Sequence, residues 1–244
     1  MEFGECKLAL YNYQKGVSFD EPSHTYYYKN RTMTSVTTAV GNCFPRFDRG
    51  GCISRNLAEK RGITVKELKA EWHHKAELGT IIHDAMELNL ISGSKMINSS
   101  TNDEWIDSRI IHGVTFMADN ELYTNSLFTE FPVYNGKYSI AGTCDLLVWN
   151  PKTNKIDIYD WKTNETIMAP GVKFGKYGYG RLSGLIDTNY WHYALQLSIY
   201  KYLLIEAGFD VGDLKLVHLK RDNAEIIDLP YLSDESLAVL EDNL

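Results

Sequence analysis

Cysteine is scarce in this chain. Only Cys6, Cys43, Cys52 and Cys144 occur in 244 residues, widely spaced and without a C-x-x-C pair. Zinc and iron–sulfur frameworks need closely spaced thiolates, so the spacing predicts reduced thiols of an intracellular protein and no iron–sulfur cluster. Long apolar runs are missing too. No stretch approaches the ~18–20 residues of a membrane span, so no membrane partner is expected. The start of the chain, Met1-Glu2-Phe3-Gly4-Glu5-Cys6-Lys7, has no basic stretch before an apolar core, and its two glutamates do not suit a transit peptide. A G-x-x-x-x-G-K-[ST] phosphate loop is also lacking, so any helicase partner would be a separate chain. Repeats and low-complexity tracts are absent.

Positive charge is in deficit, 25 Lys and Arg against 32 Asp and Glu, a net charge of −7. That sign excludes a protein that coats nucleic acid non-specifically, but not an enzyme that grips DNA locally. The basic residues cluster. Arg46, Arg49, Arg55, Lys60 and Arg61 face only Asp48 and Glu59 over 46–61, and Lys173, Lys176 and Arg181 stand without an acid over 172–181.

Periodicity and turn residues give an order of elements. Residues 12–34 read as short strands, and Ser35 caps a helix from Val36. A helix suits 52–61. Thr64-Val65-Lys66-Glu67 is a capping box opening a helix to about Glu77. Gly79 either interrupts it or admits a close neighbour, and the pattern resumes over Ile81–Ile91. A polar loop covers 93–103 and a helix 104–123. Strands follow at Leu127–Tyr134, Tyr138–Trp149 and Lys155–Lys162, the first two joined at Asn135-Gly136, a hairpin signal. Residues 164–188 form a Gly-rich loop. Tyr190–Ala207 is a helix, Leu214–Leu219 and Ala224–Leu229 are strands, and a short acidic helix ends the chain. This order predicts an α+β fold with a mixed central sheet flanked by helices.

The chemistry concentrates on the third hairpin. Asp145 precedes Asp160-Trp161-Lys162 by one strand and one turn, and on a strand Ile156, Ile158, Asp160 and Lys162 share a face. Two carboxylates there suit Mg²⁺ or Mn²⁺, with Lys162 as a point charge; a surface ion pair is the competing reading. His83 and Glu87 lie at i and i+4, with Gly79 a turn earlier. His83 is a candidate nitrogen ligand, against a packed, hydrogen-bonded histidine. Gln196 and Tyr200 offer uncharged hydrogen bonds beside His192, against an ordinary amphipathic face. Glu130 is a further carboxylate candidate. Between Gly171 and Arg181, the rings of Phe174, Tyr177 and Tyr179 interleave with Lys173, Lys176 and Arg181, a pattern suited to single-strand stacking and phosphate contact; a flexible loop is the alternative.

Taken in order, Ser35-Val36-Thr37, Gly79-Thr80-Ile81-Ile82-His83 with Glu87, Glu130, Gly142-Thr143-Cys144-Asp145, Asp160-Trp161-Lys162 and Gln196–Tyr200 resemble the RecB-like PD-(D/E)XK nucleases of the phage and mitochondrial-genome-maintenance exonuclease type. The resemblance covers about 17–205. It implies a restriction-endonuclease-like α/β/α domain over 1–244, with an N-terminal hairpin and helical part over 1–78 and a catalytic core over 79–230. His83, Asp145 and Asp160 become metal ligands, Lys162 catalytic, and Gln196 and Tyr200 supports for the substrate. The implied activity is a Mg²⁺- or Mn²⁺-dependent DNA exonuclease on single strands or ends, in replication, recombination or repair. A phage member would work in the host cytoplasm, beside a separate helicase or recombination protein. A structure-specific endonuclease and a catalytically silent nucleic-acid-binding subunit are the alternatives. Iron–sulfur members carry C-terminal cysteines, which this chain lacks after Cys144.

Overall fold

The computed structural model describes residues 2–48, 51–93, 101, 103–168 and 175–243. Helix α1 (Phe3–Gln14) leads into strands β1 (Val17–Asp20), β2 (Thr25–Tyr28) and β3 (Arg31–Ser35). Four helices follow, α2 (Val36–Asn42), α3 (Cys52–Arg61), α4 (Val65–Ser92) and α5 (Glu104–Asp119), then the single turn α6 (Leu122–Asn125). Strands β4 (Ser126–Asn135), β5 (Ile140–Asn150) and β6 (Lys155–Lys162) precede α7 (Asn189–Glu206), β7 (Val211–Leu219), β8 (Ala224–Leu229) and α8 (Ser233–Asp242).

The fold is α+β, built on a mixed eight-stranded sheet of order β1-β2-β3-β5-β6-β7-β8, with β4 on β5. Helices cover both faces. Ile82 and Met86 of α4 and Ile110 and Val114 of α5 pack with Leu146, Tyr159 and Val217 on one side. On the other, Leu10 of α1, Val36 of α2, Leu195 and Ile199 of α7 and Val239 of α8 pack with Cys144, Ile158 and Leu216. No helix among the described residues is long and apolar enough to cross a membrane.

Caps account for the helix starts. Ser35 accepts from the Thr38 N–H, and Thr64 and Glu67 form the expected capping box. Two expectations need correction, and the open alternative at Gly79 is decided. Residues 12–14 complete α1 instead of opening a strand; Glu2 and Glu5 supply its capping box, and only Cys6 and Leu10 are fully buried. Helix α4 runs unbroken through Gly79, where a Cβ would lie 3.3 Å from Thr163 Oγ1, so the glycine admits a close neighbour. The β4–β5 turn is longer than Asn135-Gly136, because pairing resumes only at Asn135↔Ile140. Gly136 serves packing there: a Cβ would fall 2.4 Å from Tyr28 Cε1.

Candidate metal centre

The site lies where the sheet splits. Strand β4 follows one edge of β5 from Ser126↔Val148 to Asn135↔Ile140. The opposite edge is shared: β3 pairs at Ile140 and Ala141, and β6 from Leu146↔Tyr159 onward. Residues 142–145 therefore have no backbone neighbour on that edge. Asp145 closes the gap with its side chain, Oδ2 accepting the Trp161 N–H at 2.8 Å. Cys144 and Leu147 face the same core although three residues apart, so strict alternation breaks at Asp145 and Leu146. Across from Asp145, between the pairs Thr129↔Leu146 and Phe131↔Cys144, stands Glu130 with a left-handed φ of 44°. A non-glycine residue held there inside a strand is uncommon, and such strain gathers at functional sites.

His83 of α4 completes the group. Its Nδ1 lies 3.3 Å from Asp145 Oδ2, and one ligand atom each from His83, Glu130 and Asp145 falls within 4.8 Å of the others. All three line a cavity of about 810 Å³. Glu130 has an exposed tip, yet the surrounding protein wall first, then the charges of Asp145, Glu87, Asp160 and Asp84, push its carboxyl up to about 8. Two of these neighbouring acids, Asp145 and Asp84, line the same cavity as Glu130. In the metal-free protein the native carboxyl keeps its proton between pH 4.5 and about 8, where the unfolded chain has lost its own. Stability from this group is thus lost as pH rises through that window. Glu130→Gln is expected to raise the metal-free Tm at pH 8 by on the order of a few degrees, solvent screening keeping the gain small, and to match the wild type below pH 4.5. Thermal melts across pH check this; a variant less stable at pH 8 would contradict it.

Asp160 sits behind this group, 1% exposed, and does not line the cavity. Burial, then the charge of Asp145, raises its carboxyl to about 6 against the pull of Lys162. Lys162 Nζ contacts Asp160 Oδ2 as an ion pair. For Lys162 itself, burial pulls the ammonium down, but Asp160 and Asp145 outweigh it and hold its pKa above the usual range. Its Nζ also lies 4.8 Å from the centroid of the Tyr193 ring, and Tyr193 Oη donates to Asn164 Oδ1 at 2.7 Å. Of the predicted ligands, then, His83 and Asp145 converge with Glu130, while Asp160 holds the lysine.

The remaining candidates divide. Glu87 accepts from Thr129 Oγ1 at 3.2 Å, tying α4 to β4. Gln196 Nε2 donates to Tyr200 Oη at 3.0 Å. Tyr200 is 2% exposed and lies under the split, where a Cβ on Gly142 would fall 2.6 Å from its ring. Tyr200 thus packs beneath β5 and does not line the cavity, where direct substrate contact had been expected. Lys176, Tyr177 and Tyr179 are exposed and do not line the cavity; Tyr179 borders a separate one of about 460 Å³ with Arg46 and Phe44. Arg181 turns to α8, pairing with Glu241 at 2.6 Å and Asp242 at 3.3 Å, so its charge is engaged within the protein. Lys173, Phe174 and Arg49 lie outside the described residues. Trp72, Trp105, Lys75 and Glu165 line the main cavity without having been expected there. Trp72, Ala76, Gly79 and His83 follow one another at helical spacing, which was the available signal for Trp72.

The donor set fits a divalent cation. An imidazole and two carboxylates converge, and the like charge that adds to burial in lifting Glu130 and Asp160 is a repulsion that a cation at the group would relieve. No protein-family model matches the sequence, and no curated protein matches it. Among solved structures, the chain is similar to the crystal structure of SSO0001, with 16% sequence identity and a TM-score of 0.43 over 97% of this chain and 83% of that one.

Proposed function

We propose that the protein is a metal-dependent deoxyribonuclease, an exonuclease that hydrolyses phosphodiester bonds on single strands or DNA ends. The convergence of His83, Glu130 and Asp145 on a cavity that also receives Lys162 carries this reading. The motif order along the chain supports DNA as the substrate. His83, Glu130 and Asp145 would hold Mg²⁺ or Mn²⁺, the imidazole favouring Mn²⁺. When bound, such an ion supplies charge neutralisation at the phosphate and a lowered water pKa. The chain's own part is positional. Asp145 is fixed by the Trp161 N–H, and the Lys162 ammonium, held between Asp160 and the Tyr193 ring, stands ready to stabilise negative charge developing on a phosphate oxygen.

Digestion of end-labelled linear DNA, single- and double-stranded, beside the circular forms tests this. With Mg²⁺ or Mn²⁺, linear strands should shorten progressively, circles should survive, and EDTA should stop the reaction. Cut circles would make the protein an endonuclease. Intact DNA of every form, alongside a cation-dependent rise in Tm, would leave a silent binding subunit.

A further inference from the structure

Two tryptophans share the cavity with the metal-ligating group. Trp72 begins a stripe of α4 that continues through Ala76 and Gly79 to His83, so small residues leave a furrow between the indole and the imidazole. At ~1.5 Å per residue its ends are roughly 16 Å apart, the reach of about five stacked nucleotides at ~3.4 Å each. The exposed Phe47 ring meets Trp72 edge-on at 5.7 Å.

Trp105 enters from the first turn of α5 and is fixed from behind. The Arg109 guanidinium lies 3.8 Å from its ring centroid and donates from Nη1 to the Trp105 carbonyl at 3.0 Å. The indole Nε1 donates to Glu165 Oε1 at 3.4 Å, and Glu165 pairs with Lys75 of α4 at 3.3 Å. Arg109 is only 2% exposed, has no ion-pair partner among the described residues, and leaves its Nε unpartnered. Burying a cation this way is costly. What the protein gains is an indole held by Arg109 and Glu165 that is half-buried against the α4–α5 core and borders the cavity. A rigid planar surface beside a phosphate-directed site matches an unpaired nucleobase, because a paired base keeps its face inside its own stack.

We propose that Trp105, backed by Arg109, and Trp72, backed by Phe47, are base-stacking walls that make the cavity selective for an unpaired strand. This rests on the nuclease reading for its substrate class, but its test does not require cleavage. Binding of a fluorescein-labelled ten-nucleotide oligothymidylate is measured by anisotropy in EDTA, beside an abasic strand with the same phosphates and a blunt duplex. The wild type should prefer the base-bearing strand over the abasic one by on the order of ten- to a hundredfold. Trp105→Ala and Trp72→Ala should each remove most of that preference and leave abasic affinity unchanged, while Trp105→Phe should keep it. Trp72 is only partly buried on a helix surface, so its variant stays informative if Trp105→Ala fails to fold. Equal wild-type affinity for the two strands, no measurable single-strand binding, or alanine variants that retain the preference would each overturn the proposal. A wild type that discriminates bases but cuts nothing keeps the walls and removes the nuclease reading; cutting without discrimination does the reverse.

Discussion

Asp145→Ala is expected to abolish cation-dependent thermal stabilisation and to lower cleavage by at least the ~10²–10³-fold that losing one electrostatic stabiliser costs. Two functions meet in this carboxylate. It faces His83 at 3.3 Å as part of the ligand group, and it accepts the Trp161 N–H at 2.8 Å. Alanine removes both, leaving a donor without a partner at the split, a loss of about 1–3 kcal/mol. Asp145→Asn separates them, because the amide oxygen still accepts from Trp161 while the charge is gone. The asparagine variant should therefore melt close to the wild type without metal, yet show little of the cation-induced shift. Titration of Mn²⁺ followed by thermal melting reads both quantities. Near-wild-type turnover of either variant at saturating metal would remove Asp145 from the site.

The second large effect falls on Lys162. Its side chain is 16% exposed, and it contacts Asp160, whose side chain is 2% exposed. Lys162→Ala strands a buried carboxylate, and breaking such a pair costs about 3–5 kcal/mol, a fall in Tm of roughly 10 °C for a chain of this size. Cleavage should fall with it. Loss of activity in this variant alone would be ambiguous, so the informative protein is the double variant Asp160→Asn with Lys162→Met. It replaces a charged pair by a neutral one of similar volume and should recover most of the lost stability but none of the activity. A double variant that regained turnover would show that the ammonium has no part in the chemistry.

Residues that interact within a few positions were legible in the sequence. Ser35, the Thr64–Glu67 box and the β5–β6 hairpin each carry their whole physical cause in one short stretch. Helix α1 was not legible, since it is capped by glutamates and buries only Cys6 and Leu10 deeply. At the site, the closeness of Asp145 to Asp160 followed from strand spacing, but their different fates did not. Whether a carboxylate opens to the cavity or turns to a lysine depends on the break in alternation at Asp145 and on the left-handed backbone at Glu130, both tertiary in origin. Trp105 was hidden for another reason: its value lies in Arg109 one turn later and in Glu165 sixty residues away.

The split in β5 has a consequence for how the molecule breathes. Over residues 142–145 one edge of the strand has no backbone partner, and the Trp161 amide is held by a carboxylate that is also a candidate ligand. Local opening of the end of β6 and the freedom of Asp145 to reorient are therefore one motion. Were an ion to occupy the candidate group, its binding and solvent exchange at a core amide would be linked quantities, each reporting the other although no backbone atom belongs to the group. The seam in the sheet is thus the place where an ion at the proposed centre would be felt as rigidity of the strand.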